Sequence, residues 1–267
     1  MVTASVASAT SAGGLAGASV QVRAVSHAFG DAGQALPVLD DVTFDVPAGE
    51  TVALLGPSGC GKSTLLRLIA GLSAPQAGRI GVDLVRVVGP DPSRLLVFQD
   101  PLLLPWRTVE ANVAYGLEAR KIGDGQERVR QALRMVGLAA FAAAYPHELS
   151  GGMAQRAAFA RVLVNHPRVL LLDEPFGKLD SLTRMTMQEE LLALARRHAF
   201  TTILVTHDVE EALLLATRVL VFSPRPARII LDVDNGLPFP RLRDDPAFIA
   251  RRREILIALG HGEEFAR

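Results

Sequence analysis

At 267 residues with 49% hydrophobic content, the chain is long enough for one large domain carrying a smaller lobe. Lys plus Arg and Asp plus Glu both number 28, so the formal net charge is zero; that balance offers no electrostatic footprint for a general nucleic-acid binder and argues against nucleic acid as a partner. Cys60 is the single cysteine, which excludes an internal disulfide and suits a reducing compartment.

In chain order, residues 1–19 are mostly Ala, Ser, Thr and Gly, and the first charged side chain is Arg23. The stretch lacks the basic start and Leu-rich centre of a signal peptide and is expected to be a disordered tail. Residues 20–25 alternate apolar and polar, the period of a strand. Residues 44–46 read as a second strand, followed by a turn at Pro47-Ala48-Gly49. The short apolar run 51–55 ends at a glycine-rich loop, and 63–72 then has helical spacing. A turn at 73–78 and a buried strand at 95–98 follow.

From about 100 to 155 the pattern changes. Helical spacing with mixed charges covers 109–121 and 126–136, separated by Gly123-Asp124-Gly125, and a third helix is expected over 155–165. This section predicts a helical subdomain inserted into an α/β core. The core resumes at 169–172, an unbroken apolar run suited to a central parallel strand. A helix over 182–198, a strand at 202–205, a helix over 209–216 and a strand at 218–222 come next. Such alternation predicts a mostly parallel sheet covered on both faces. Beyond Ser223, Pro224, Pro226, Pro238 and Pro240 break the pattern, and a helix is expected over 247–259. The apolar stretch 212–222 is too short for a membrane span, which needs about 20 residues, and it contains Arg218. Attachment to a membrane is therefore expected only through a partner.

Three segments carry chemistry. Gly56-Pro57-Ser58-Gly59-Cys60-Gly61-Lys62-Ser63-Thr64 fits the pattern G-x-x-x-x-G-K-[ST] and lies between an apolar strand and a helix. Its glycines let successive backbone N–H groups curl around phosphate oxygens, and the helix behind presents its positive end to the same anion. Lys62 supplies a mobile cation, and the Ser63 hydroxyl is a hard ligand suited to Mg²⁺. Cys60 reads as a small residue the loop tolerates, with a reactive thiol as the alternative. The second segment, residues 169–175, ends a buried strand with Asp173 and Glu174. The carboxyl ends of parallel strands are where such sheets present ligands. Asp173 is positioned there to hold Mg²⁺, and Glu174 to polarise an attacking water. The third, Leu149-Ser150-Gly151-Gly152-Met153, opens a helix that Ser150 can cap, leaving a second set of N–H groups for an anion.

A phosphate loop, then Gln99, then the serine-glycine segment, then the acidic strand end, then His207 resembles the ATP-binding subunits of ABC transporters. The resemblance runs from about residue 20 to at least 222. It implies a P-loop ATPase core with an N-terminal antiparallel β portion and the inserted helical subdomain, spanning 20–225, and a C-terminal extension over 226–267. On the matching positions, 56–64 is the Walker A loop and Val169 to Glu174 the Walker B strand. Lys62, Gln99, Glu174 and His207 are then catalytic, and Ser63, Gln99 and Asp173 bind Mg²⁺. ATP is held by Gly56, Pro57, Ser58, Gly59, Cys60, Gly61, Lys62, Ser63 and Thr64, by Phe29 stacked on adenine, and by Ser150, Gly151 and Gly152. Asp180, which with Leu179 belongs to the D-loop, is counted among the nucleotide-binding residues as well.

The resemblance further implies a homodimer, paired head to tail with two ATP molecules sandwiched between the copies. Integral membrane permease subunits would hold it at the cytoplasmic face of the membrane. Within the family, residues 97–106 and 112–117, Asp173-Glu174-Pro175-Phe176-Gly177, 224–229 and 245–248 look like the nitrate, sulfonate and taurine importers, which use a separate solute-binding protein. Trp106 is expected on the surface that receives a permease helix. Lys178, where that subfamily usually has alanine, and Ala154, where a basic residue is common, depart from its pattern. So does 81–88, which lacks an Asp-Gly turn, so a different hairpin is expected there. A non-transport ABC ATPase of DNA repair or translation is the alternative; a single cassette with no heptad run argues against it.

Overall fold

The computed structural model describes residues 17–30, 35–123, 125–177 and 179–261. Strands β1 (Val20–Phe29) and β2 (Leu36–Val46) pair antiparallel, and β3 (Thr51–Leu55) leads through the glycine loop into α1 (Lys62–Ala70). A hairpin of β4 (Ala77–Val82) and β5 (Val85–Arg86) follows, then β6 (Arg94–Val97). The helical lobe holds α2 (Val109–Ala119), α3 (Gly125–Met135) and the start of α4 (Gly151–Leu163). The core returns with β7 (Val169–Asp173), α5 (Ser181–His198), β8 (Thr201–Thr206), α6 (Val209–Leu215), β9 (Arg218–Phe222), β10 (Ile229–Asp234) and α7 (Pro246–Ala258).

The strands form two sheets. Four make an antiparallel sheet in the order β2-β1-β4-β5, and six make the main sheet in the order β10-β9-β3-β8-β7-β6. Within the main sheet all neighbours are parallel except the β9–β10 edge. Because successive side chains of a strand point to opposite faces, each apolar run feeds two cores. Val52 and Leu54 of β3 pack with α1 and the antiparallel sheet, whereas Ala53 and Leu55 pack with α6 and α7. Val169 and Leu171 join the α1 side, while Leu170 and Leu172 join the helical lobe. Burial on both faces is why these runs show no alternation in sequence.

Several elements differ from the expectation. Residues 17–19 are not part of a loose tail: Ala18 is fully buried, Gly17 N donates to the Ala199 carbonyl at 3.0 Å, and Ser19 N donates to Asp83 at 2.8 Å. Residues 1–16 lie outside the described residues, as does Lys178. The hairpin at 81–88 forms without glycine in its turn. Asp83 and Leu84 adopt φ of 47° and 67°, the left-handed pair a two-residue hairpin turn requires. Leu84 meets a cost of about 1–2 kcal/mol in that region, and ties from the Asp83 carboxylate to Ser19 and to Arg168 (2.6 Å) fix the turn against it.

The described part of the C-terminal extension is no appendage. Strand β10 completes the main sheet, and Phe248 and Ile255 of α7 are buried in the core beside α6. Arg241 reinforces the junction. Its Nη1 donates to the carbonyls of Leu213 and Ala216, each at 2.7 Å, ending α6, and its guanidinium lies 4.0 Å from the Phe239 ring. Burial pulls its pKa down to about 10.

Candidate active site

The phosphate loop joins the carboxyl end of β3 to the first turn of α1, and its glycines are dictated by close approach. A Cβ on Gly61, at φ 129°, would lie 2.7 Å from Val38 Cγ1; one on Gly56 would lie 2.9 Å from the Phe222 carbonyl. Helix α1 opens with no side-chain cap, so its first N–H groups are left to the loop interior. Lys62 is buried, and its Nζ donates to the carbonyls of Gly56 at 2.7 Å and Pro57 at 2.8 Å. Cys60 is buried beside it, with Sγ 3.8 Å from Nζ; burial is what suits the reading of a small tolerated residue.

Residues far apart in sequence converge on this loop. Ser63 Oγ donates to Asp173 Oδ1 at 2.7 Å across 110 positions. Parallel registry of β7 with β8 sets Asp173 opposite Val205, and Glu174 N then donates to the Val205 carbonyl at 3.0 Å. Glu174 sits at φ 46°, a left-handed bend that costs a non-glycine residue energy and turns the chain sharply as it leaves the sheet. Its Oε2 is 3.3 Å from His207 Nδ1. Gly177 N donates to the Glu174 carbonyl at 3.2 Å, and the Gln99 amide nitrogen is 3.1 Å from where a Cβ on Gly177 would stand. Gln99, Glu174 and His207 thus occupy neighbouring positions.

A cavity of about 240 Å³ opens over the loop, lined by Phe29, Val38, Gly59, Lys62, Glu174 and Arg225 together with Ser63 and Thr64. Phe29 is 48% exposed and meets His27 edge to face at 5.2 Å. Burial is the largest influence on Asp173 and pushes its carboxyl above the usual range; the Ser63 bond pulls it down, the Glu174 charge raises it, and Arg67 and Lys62 lower it.

The serine-glycine segment and the D-loop stand outside this cavity within one chain. Ser150 caps α4, its Oγ accepting from Met153 N at 3.3 Å. Asp180 caps α5, accepting from Thr183 N at 3.1 Å, and the Thr183 bonds hold its carboxyl below the usual range. A Cβ on Gly151 would meet nothing within 4 Å, whereas one on Gly152 would come 2.5 Å from Thr183 Cγ2. The two glycines therefore serve differently: Gly151 leaves the helix end open, and Gly152 lets α4 and α5 touch.

The sequence reading missed a buried polar cluster beneath His207. Gln188 Nε2 on α5 donates to Glu211 Oε1 on α6 at 2.9 Å, and Thr206 bonds the same carboxyl. Thr206 Oγ1 also accepts from Asp208 N at 3.0 Å, so both neighbours of His207 are anchored. An acid on the apolar face of a short helix was the available signal. Burial drives the Glu211 carboxyl above its ordinary range; Thr206 and Gln188 oppose, Asp208 adds to the rise, and Arg184 lowers it. With the folded pKa raised, the stabilising contribution is present at low pH and is lost as pH climbs through the folded value. Replacing Glu211 with Gln is therefore expected to raise the Tm at pH 8 and to leave it unchanged at pH 4, as read by thermal melts across that interval.

Comparison with known proteins accords with this geometry. The sequence profile described as ABC transporter matches residues 39–177. A taurine import ATP-binding protein, TauB, of Yersinia pestis bv. Antiqua is 46% identical over 233 residues, covering 84% of this chain and 91% of the relative. An aliphatic sulfonates import ATP-binding protein, SsuB 2, of Pseudomonas syringae pv. tomato is 49% identical over 222 residues, covering 83% and 91%. Among solved structures, the dimeric ATP-binding cassette MJ0796 in a post-hydrolysis state bound to ADP and Pi superposes with a TM-score of 0.73 at 29% identity, covering 82% of this chain and all of that one. A phosphate loop packed against an acidic strand end, in a sheet shared with such a cassette and a sequence shared with such relatives, leads to one conclusion: the chain belongs to the ABC transporter family, as an ATP-binding and ATP-hydrolysing subunit.

Proposed function

We propose that this chain powers the uptake of a small sulfonate, working as a head-to-tail homodimer on the cytoplasmic face of a membrane permease that a separate solute-binding protein supplies. Taurine and aliphatic sulfonates are what the relatives' names give those proteins as cargo; both are alkyl sulfonates, so one solute class covers the two. The single observation that carries the ATPase half of the reading is the Ser63–Asp173 bond, which sets the loop beside the acidic strand end.

Each residue then has a task. Loop N–H groups and Lys62 grip the β- and γ-phosphates, and Phe29 lies against the base. Ser63 and Asp173 present two hard oxygens 2.7 Å apart, a donor set that fits Mg²⁺, which takes few protein ligands and completes its shell with phosphate and water; Gln99 is the further oxygen offered. When bound, Mg²⁺ would neutralise charge on the phosphate oxygens. Glu174, held by His207, orients the attacking water, and the γ-phosphate of one copy meets the helix end of Ser150 from the other.

The permease contact falls on the helical lobe. Trp106 is 71% exposed and Leu102 56% exposed, rather than packed into the lobe. A large exposed aromatic beside an exposed leucine in the same segment has the composition of an interface anchor. Trp106→Ala is expected to lose about tenfold or more in permease affinity, in line with truncating an interface anchor at about 2 kcal/mol, measured by co-purification with a permease of the sulfonate-importer class. Uptake of labelled taurine or an alkanesulfonate by cells with and without the gene tests the cargo; unchanged uptake of both would remove the sulfonate assignment.

A further inference from the structure

The segment joining β9 to β10 carries a cation to the rim of the phosphate loop. Ser223 N donates to the Arg228 carbonyl at 2.9 Å, and Arg228 N donates to Ser223 Oγ at 3.0 Å, closing residues 223–228 into a compact strap. The strap is fastened to β2. Ala227 is fully buried, its N donates to the Val38 carbonyl at 2.8 Å, and its own carbonyl accepts from Asp40 N at 3.1 Å. Arg228 forms an ion pair with Asp40. Val38 is also the side chain that Gly61 passes at close range. Strap, β2 and glycine loop therefore hold one another in place, and Arg225 reaches from the strap over the loop.

Arg225 uses only part of its donor set. Nε and Nη2 both donate to the Gly59 carbonyl, at 3.2 and 2.5 Å, while Nη1 has no partner among the described residues. The guanidinium lines the same cavity as Phe29, Lys62, Ser63 and Glu174, and it is exposed where Lys62 is buried. Glu174 is the one acid lining that cavity among the described residues. A guanidinium fixed by two of its donors is pre-organised to offer the rest to an anion, and its planar fork matches phosphate oxygens.

We propose that Arg225 is a nucleotide-binding residue: it clamps the phosphate loop through Gly59 and gives its remaining N–H groups to the polyphosphate of the bound nucleotide. The proposal rests on the reading of 56–64 as the phosphate site and adds to it a second cation, delivered from beyond the last parallel strand.

Arg225→Gln separates contact from scaffolding, because glutamine can still donate one bond to the Gly59 carbonyl but carries no charge. ATP and ADP titrations by calorimetry, at low and high salt, are expected to give about tenfold weaker binding for this variant, the loss of one charge-assisted hydrogen bond, with a shallower salt dependence than the parent chain. Arg225→Lys, which keeps the charge and gives up the fork, is expected to recover most of the affinity at low salt. The proposal is overturned if Arg225→Gln binds ATP like the parent, or if Arg225→Lys binds no better than the glutamine variant. Lys62→Ala serves as the control for the site itself. If Lys62→Ala and Arg225→Gln both leave binding unchanged, the phosphate-loop reading fails; if only Arg225→Gln does, Arg225 alone loses its role.

Discussion

Glu174→Gln is expected to bind ATP as tightly as the parent chain and to turn it over roughly 10²-fold or more slowly, the loss typical of removing one preorganised catalytic group. The substitution is nearly isosteric, so the structural ties of Glu174 survive it: the backbone bond to Val205 and the contact from Gly177 N use main-chain atoms. What changes is the side chain facing His207 Nδ1 at 3.3 Å. A carboxylate accepts from both the imidazole and a water; an amide offers one acceptor oxygen and turns a donor toward the rest. Steady-state phosphate release measures turnover, and calorimetry measures binding. Turnover within a few-fold of the parent would take from Glu174 its part in orienting water. With hydrolysis blocked, the variant is also expected to accumulate as an ATP-bound dimer, visible as a doubled mass in light scattering.

The second large effect is expected at the other half of the proposed shared site. Ser150→Arg should bind ATP with near-parental affinity yet stay monomeric at every ATP concentration, and its turnover should fall by a similar factor of about 10². Ser150 does not line the phosphate cavity of its own chain, so its loss leaves the Walker A loop untouched. It caps α4 through the bond to Met153 N, and removing such a cap costs about 1 kcal/mol. Arginine adds a like charge to the positive end of the helix, unfavourable by a further few tenths to 1 kcal/mol, and adds bulk where Gly151 leaves open space. Placing the change in a Glu174→Gln background gives a sensitive test. If the double variant still forms the ATP-dependent dimer, the serine helix is not the partner of the opposing phosphate loop.

How much of this was readable beforehand follows from local signal strength. The two-sided burial of β3, β7, β8 and β9 gives unbroken apolar runs, and all four were found from sequence. Strand β1 was read only to residue 25 because Ala24 adopts φ 50° and the register with β2 shifts along the strand. Most of β2 was missed because Pro37 and the left-handed Asp41 interrupt its first half. Strand β4 carries two glycines and three exposed residues, which is not the composition of a strand, whereas β10 has the β-branched composition of one but is a half-exposed antiparallel edge that follows two prolines. The phosphate loop is contiguous and was legible as a unit. The Ser63–Asp173 and Glu174–His207 contacts join residues whose proximity depends on sheet order, which no local pattern encodes, and there only the family resemblance pointed to them. Arg225 lay within the resembling segment 224–229 but nothing there assigned it a role, and the Gln188–Glu211 pair left only an acid on the apolar face of a short helix as its signal.

The near-contact between Gly152 and Thr183 gears two helices together. With no side chain at 152, the tips of α4 and α5 mesh like adjacent teeth, and a shift in one is carried to the other without slack. In the proposed head-to-tail dimer, the capping serine and the capping aspartate would then reach the opposing copy in the same movement.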